Sequence, residues 1–286
     1  MAEPFHIERF MEASGKLDLS DIDWAEVPRH PITPEGLRAL RYFLLTEGST
    51  FFYVKALMQT KAVLEEPELA PFLCVWMYEE EYHGRAFRQF LEAYGEPPSP
   101  RYRQQMFESR GVGERIDELS QTVLSRLFPD EWPAVHMVWG TVQEYTTYNA
   151  YQALIERINH PVLNVICHRI MKQELRHYAF YREHARRRLQ RSASTRRLVT
   201  AALKLGWTPV GDGMCSKEDV THALTFLFDG RHGPVISRID EKMRELPGLE
   251  WFDCFRRFVD EHDIPRAPES WFTARRVEHF QEALAV

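Results

Sequence analysis

Apolar positions recur with a helical period along most of the chain, and strand-like alternation is scarce. Thr33-Pro34-Glu35 offers an N-cap, a first-turn proline and an early acid. From there Leu37 to Glu66 reads as one long helix whose weak point is Gly48. Pro67 and Pro71 break the run, and a second helix is predicted from about Pro71 to Tyr94, closed by Gly95 and Pro97-Pro98. Residues 96–131 form a polar, Arg-rich connection with a short helix expected near Glu114 to Leu127. Asp130-Glu131-Trp132-Pro133 opens a third long helix to about Ile158. Asn159-His160-Pro161 is a tight turn, and a fourth helix follows to about Arg191.

Hairpin, long crossover, hairpin is the connectivity of an all-α, ferritin-like four-helix bundle. Residues 192–286 read as shorter helices broken at Gly206, Gly211-Asp212-Gly213, Gly230 and Pro247-Gly248, packed on the outside. The expectation is a single helical domain over 1–286, with a core bundle at about 34–192 and an extension at about 193–286.

Two polar patterns interrupt these apolar stripes: Glu80-Glu81-Tyr82-His83 and Glu174-Leu175-Arg176-His177. Each is Glu-x-x-His, and residues three apart share a helix face, so each pair points a carboxylate and an imidazole at one place. Chance alone supplies about one such pattern in a chain of this composition; Glu3-Pro4-Phe5-His6, at a terminus read as loose, is discounted as that one. Glu47 on the first helix and Glu144 on the third are the natural donors of one further carboxylate each. In an antiparallel hairpin, residues equidistant from the turn lie side by side. Glu144 and the Glu174/His177 pair are centred near His160, and Glu47 and the Glu80/His83 pair near position 64. Both sets therefore stand about 24 Å from their turns, at one height in the bundle. The six residues Glu47, Glu80, His83, Glu144, Glu174 and His177 predict a site for two iron ions, since oxygen-activating iron takes carboxylate and imidazole donors and needs open positions.

Composition adds limits. The chain has 286 residues, 44% hydrophobic and 27% charged, with a formal net charge of −6, which argues against a nucleic-acid partner. No apolar run approaches the length of a membrane span, and Met1 to Met11 carries no apolar block, so a cytoplasmic protein without a signal peptide is expected. Cys74, Cys167, Cys215 and Cys254 form no Cys-x-x-Cys pair and read as reduced thiols.

The stretch Trp76-Met77-Tyr78-Glu79-Glu80-Glu81-Tyr82-His83-Gly84 resembles the Trp-x-x-Glu-Glu-x-x-His-Gly stretch of soluble acyl-carrier-protein desaturases. Gln173-Glu174-Leu175-Arg176-His177 is similar to that family's Asp-Glu-x-Arg-His, and Glu144-Tyr145-Thr146-Thr147 to its third-helix glutamate followed by a threonine. The resemblance covers roughly residues 34–192. It implies that the six residues bind two irons, that Thr147 assists oxygen activation, and that Trp76 lies on the electron route. It also implies dioxygen as co-substrate, an external ferredoxin-like donor, an acyl substrate on acyl carrier protein, and a homodimer. Gln173 departs from the pattern: an amide can accept a hydrogen bond from a His83 ring nitrogen but cannot take a proton. Related activities with this architecture are hydroxylation, N-oxygenation and chain cleavage, as in aldehyde-deformylating oxygenases. Arylamine N-oxygenases carry an extra histidine where this chain has Ile170, with His168 the nearby substitute. Ribonucleotide reductase small subunits are longer and usually use Asp as first ligand. The non-catalytic alternative is a ferritin-like metal-binding protein.

Arg182, Arg186, Arg187, Arg188, Arg191, Arg196 and Arg197 crowd the end of the fourth helix, either to dock an acidic carrier or to complement the helix dipole. Phe43, Phe51, Phe52, Tyr53, Tyr145, Tyr148, Tyr151 and Tyr178 supply aromatic bulk to the bundle core or a substrate channel.

Overall fold

The structure, a computed structural model, describes residues 5–109 and 123–272. Those residues form helices and turns without a β-strand. Twelve α-helices lie among them: α1 (Ile7–Ala13), α2 (Pro34–Glu47), α3 (Phe51–Met58), α4 (Ala62–Glu65), α5 (Leu69–Tyr94), α6 (Tyr102–Ser109), α7 (Trp132–Ile158), α8 (Pro161–Arg191), α9 (Ala193–Gly206), α10 (Lys217–Phe228), α11 (Pro234–Met243) and α12 (Cys254–Glu261). A further helical turn covers 123–127. The remainder of the short crossover helix expected from Glu114 lies outside the described residues.

The long helices α2, α5, α7 and α8 make the bundle. α2 begins as predicted, with Thr33 Oγ1 accepting from Gly36 N at 3.2 Å and Pro34 in the first turn. It does not continue to Glu66. The chain turns at 48–50 and again at 59–61, splitting the expected helix into α2, α3 and α4. Gly48 weakens the helix on entropic grounds, and a run of hydroxyls competes for its carbonyls. Thr46 Oγ1 donates to Phe43 O at 3.1 Å, Ser49 Oγ to Leu45 O, and Thr50 Oγ1 to Glu47 O at 3.2 Å. α5 is closed by Gly95 in the left-handed region at φ +90, as its position after the last periodic residue predicted.

The second hairpin is continuous. Asn159 turns the chain with a left-handed backbone (φ 49, ψ 51), and His160 then caps α8, its Nδ1 accepting from Leu163 N at 3.3 Å. The other ring nitrogen, Nε2, donates to Val27 O at 3.0 Å, so the buried ring is a neutral Nε2–H imidazole wedged between two segments. Sequence reasoning assigned His160 nothing beyond its place in the turn.

Aromatic stacking fills the bundle between these helices. Phe43 stacks on Tyr151 (4.9 Å) and Phe87 (5.3 Å), and Phe72 lies against Phe180 at 3.5 Å. α9 packs on α7 and α8, α10 on α2 and α7, and α11 on α7. The N-terminal segment is not loose where it is described. Phe10 of α1 is buried, 5.2 Å from the Phe72 ring and 6.3 Å from the His177 ring.

Candidate metal centre

Four helices deliver six side chains to one place in the core. Glu47 is the last residue of α2, Glu80 and His83 come from the middle of α5, Glu144 from α7, and Glu174 and His177 from α8. All six are buried, none more than 6% exposed. They form two overlapping sets: Glu47, Glu80, His83 and Glu174 in one, and Glu80, Glu144, Glu174 and His177 in the other. Within each set the donor atoms lie within 4.8 Å of one another.

Glu80 and Glu174 belong to both sets, so they stand between the two histidines, whose rings are 6.2 Å apart. Both imidazoles turn Nδ1 inward. His83 Nδ1 is 3.3 Å from Glu47 Oε2 and 3.3 Å from Glu174 Oε1. His177 Nδ1 is 3.2 Å from Glu80 Oε1, 3.5 Å from Glu144 Oε2 and 3.7 Å from Glu174 Oε2. Despite this crowding, Glu80 Oε1, both Glu174 oxygens and His177 Nδ1 have no well-aligned hydrogen-bond partner. Buried polar atoms are normally satisfied, so four orphans facing a common point describe a site shaped for something that takes lone pairs from all of them. Four carboxylates and two imidazoles are donors that suit iron, and the residues present fit a metal pair.

The electrostatics say the same. Burial pushes the Glu47 and Glu144 carboxyls well above the usual range, and the neighbouring Glu80 and Glu174 push them further. Burial would raise Glu174 too, but the facing His177 and His83 rings outweigh it and hold that carboxyl low. Burial would lower both imidazoles, and the surrounding carboxylates instead hold His83 and His177 well above their ordinary value.

The outward nitrogens are anchored differently. His83 Nε2 donates to Gln173 Oε1 at 2.7 Å, the amide contact anticipated from the sequence. His177 Nε2 donates to Glu79 Oε2 at 2.8 Å. Glu79 is fully buried, and its other oxygen accepts from Gln173 Nε2 (2.9 Å), Arg176 (3.0 Å) and Gly15 N (3.0 Å). Gly15 O accepts in turn from Gln173 Nε2 at 2.8 Å. Such outer contacts fix tautomer and ring orientation. Glu79 was quoted in the motif but given no role; its signal was a carboxylate directly before Glu80, one position off the metal-facing stripe.

Other predicted residues fall around this centre. Tyr151 donates its hydroxyl to Glu47 Oε1 at 2.6 Å, and Thr50 Oγ1, whose one hydrogen is shared with Glu47 O, lies 3.3 Å from Glu80 Oε2. Thr147 is half-buried and, with Glu47 and Thr146, lines a cavity of about 30 Å³, room for one or two water-sized molecules. Trp76 is buried, 5.4 Å from the Tyr181 ring and 6.2 Å from Phe72. His168 is exposed and bonds Asn164 O at 2.6 Å, so it adds nothing to the cluster. The arginines at the end of α8 are drawn into ion pairs: Arg182 with Glu245, Arg186 with Glu183, Arg187 with Glu68 and Arg188 with Glu66. Tyr145 and Tyr178 pair with each other at 5.1 Å, while Phe51 is exposed.

A helical bundle with two overlapping, buried Glu/His clusters at its centre is a protein built to be able to hold metal. The model of the fatty acid desaturase family matches residues 39–204, more than half of the chain, and the chain belongs to that family. Comparison with curated proteins and with solved structures gives no match. Family membership points to oxidoreductase activity and a lipid substrate. No helix among the described residues is long and apolar enough to cross a membrane.

Proposed function

We propose that this chain is an oxygen-dependent di-iron oxidase of the desaturase type, acting on an acyl chain with electrons from an external ferredoxin-like donor. One observation supports it above the rest: two four-residue donor sets share Glu80 and Glu174, leaving four buried lone-pair atoms unsatisfied. On this reading Glu47, Glu80, His83 and Glu174 hold one ion, and Glu80, Glu144, Glu174 and His177 hold the other. Bound iron would supply the reductive activation of dioxygen that an unactivated acyl chain requires. The chain's own residues do the rest. Gln173 and Glu79 orient the two imidazoles, Tyr151 holds Glu47, and the small cavity beside Thr147 gives dioxygen a place next to Glu47. Trp76 sits behind the centre on the proposed electron route. We further propose that the whole chain works as one domain in the cytoplasm, as a homodimer, on a substrate delivered by acyl carrier protein. Because Gln173 is a neutral partner for His83, a related oxygenation, such as hydroxylation, is the second reading.

The test has two stages. Anaerobic ferrous titration of the full chain should reach about two irons per chain. Incubation with acyl carrier substrates, reductant and oxygen should then give products two hydrogens lighter by mass spectrometry, whereas hydroxylation adds one oxygen. An endpoint of zero or one iron overturns the proposal.

A further inference from the structure

The two donor sets share Glu80 and Glu174, so any difference between them lies in their unshared pairs, Glu47 with His83 and Glu144 with His177. Both rings commit Nε2 outward. Gln173 Nε2 donates to Gly15 O at 2.8 Å and to Glu79 Oε1 at 2.9 Å, two groups that only accept. The amide therefore cannot be turned over, and its oxygen must face His83. His83 carries its hydrogen on Nε2, 2.7 Å from Gln173 Oε1, and offers Nδ1 to the interior. His177 does the same against Glu79 Oε2 at 2.8 Å.

The partners differ in charge. Glu79 is a buried carboxylate whose Oε1 is taken by Gln173, Arg176 and Gly15 N, which leaves Oε2 to His177 alone. A ring N–H that donates to a carboxylate gains electron density, and its other nitrogen becomes a stronger donor to a cation. The neutral amide of Gln173 gives His83 the same orientation with much less of that density. The unshared carboxylates differ in the same direction. Tyr151 occupies Glu47 Oε1 at 2.6 Å, so Glu47 has one oxygen left for an ion. The Glu144 carboxylate has one hydrogen-bond or ion-pair partner among the described residues, His177, 3.5 Å from Oε2, so both of its oxygens can turn to an ion.

We propose that the two halves of the centre are unequal: the first iron enters beside His177 and Glu144 and is held tightly, and the second enters beside His83 and Glu47 and is exchangeable. The inference rests on the di-iron reading for the identity and number of the ions, and adds their order. Glu79 and Gln173 are positioning residues that set this order through the rings they hold. At limiting iron the chain carries a single ion beside His177, and iron supply decides how much of it holds the pair.

The test is anaerobic ferrous titration of the metal-free full chain against a competing chelator, carried to saturation. Two steps should appear, about tenfold to a hundredfold apart in affinity. Glu47→Ala should keep an iron with the tighter constant, and Glu144→Ala one with the weaker. Glu79→Gln keeps the size of the side chain and removes its charge, so it should weaken the tighter step by about tenfold to a hundredfold and leave the weaker step unchanged. Should Glu79→Gln fail to fold, the comparison of Glu47→Ala with Glu144→Ala decides alone. The ordering is overturned if the irons left in those two variants bind equally, if the Glu144→Ala iron is the tighter, or if Glu79→Gln weakens both steps alike. Two irons bound with equal affinity sink this inference alone. A single iron at saturation, kept by Glu47→Ala and lost from Glu144→Ala, sinks the oxidase reading and leaves the stronger His177 set standing.

Discussion

The two hairpins carry the same motif but present it by different means. In the second, Glu144 lies mid-helix in α7, Glu174 and His177 lie mid-helix in α8, and a two-residue turn fixes their register. In the first, Glu47 is the terminal residue of α2, and the chain breaks immediately after it. A carboxylate at a helix C-terminus faces the negative end of the dipole, which costs on the order of 0.3–1 kcal/mol. Tyr151 offsets this by donating to Glu47 across the bundle, at 2.6 Å. One half of the centre is thus placed by local helix geometry, and the other by tertiary contact.

Glu174→Ala sharpens the comparison most, because that residue serves both halves. It should take iron binding from about two per chain to none, whereas Glu47→Ala and Glu144→Ala should each leave about one, by metal analysis after anaerobic loading. Gly140→Ala forces a methyl into the Tyr181 ring and should destabilise the second hairpin by about 1–3 kcal/mol in denaturant unfolding. If tertiary contact holds Glu47, Tyr151→Phe should weaken the first-hairpin iron by about tenfold to a hundredfold and leave the other untouched, by competition with a chelator. The smallest effect concerns the turn. His160→Ala should cost about 1 kcal/mol of thermal stability as a lost cap. Burial lowers the folded His160 below its usual 6.5, so the unfolded chain takes up that proton first. Stability should therefore fall as pH drops below 6.5, until the lower folded value is passed, and the variant should lack that part of the slope.

The same contrast explains what could be read without coordinates. α7, its turn and α8 announce themselves through Pro133, Asn159 and Pro161, and their boundaries fall where those signals put them. Glu80, His83, Glu174 and His177 were legible because spacing of three on a helix is a local property, and Glu47 and Glu144 because each stands as far from its turn as the pair on the facing helix. The break after Glu47 was not, since one glycine rarely ends a helix. The cooperation of Thr46, Ser49 and Thr50 with backbone carbonyls emerges only in the folded geometry. Glu79 and Gly15 were missed for a related reason: their contacts span 98 and 64 positions in the chain, and no periodicity connects them. The pairing of Arg182, Arg187 and Arg188 is likewise tertiary. Glu66 and Glu68, two of the acids that neutralise them, precede α5.

Gly15 spends both of its peptide groups on this network, its N–H on Glu79 and its carbonyl on Gln173, the two side chains that grip the outer edges of the imidazoles. A segment ahead of the family-matched region therefore works as a stopper behind the histidines. Trimming the protein to its matched part would keep every inward-facing donor and open their backs to solvent, so a shortened version would test a differently tuned centre.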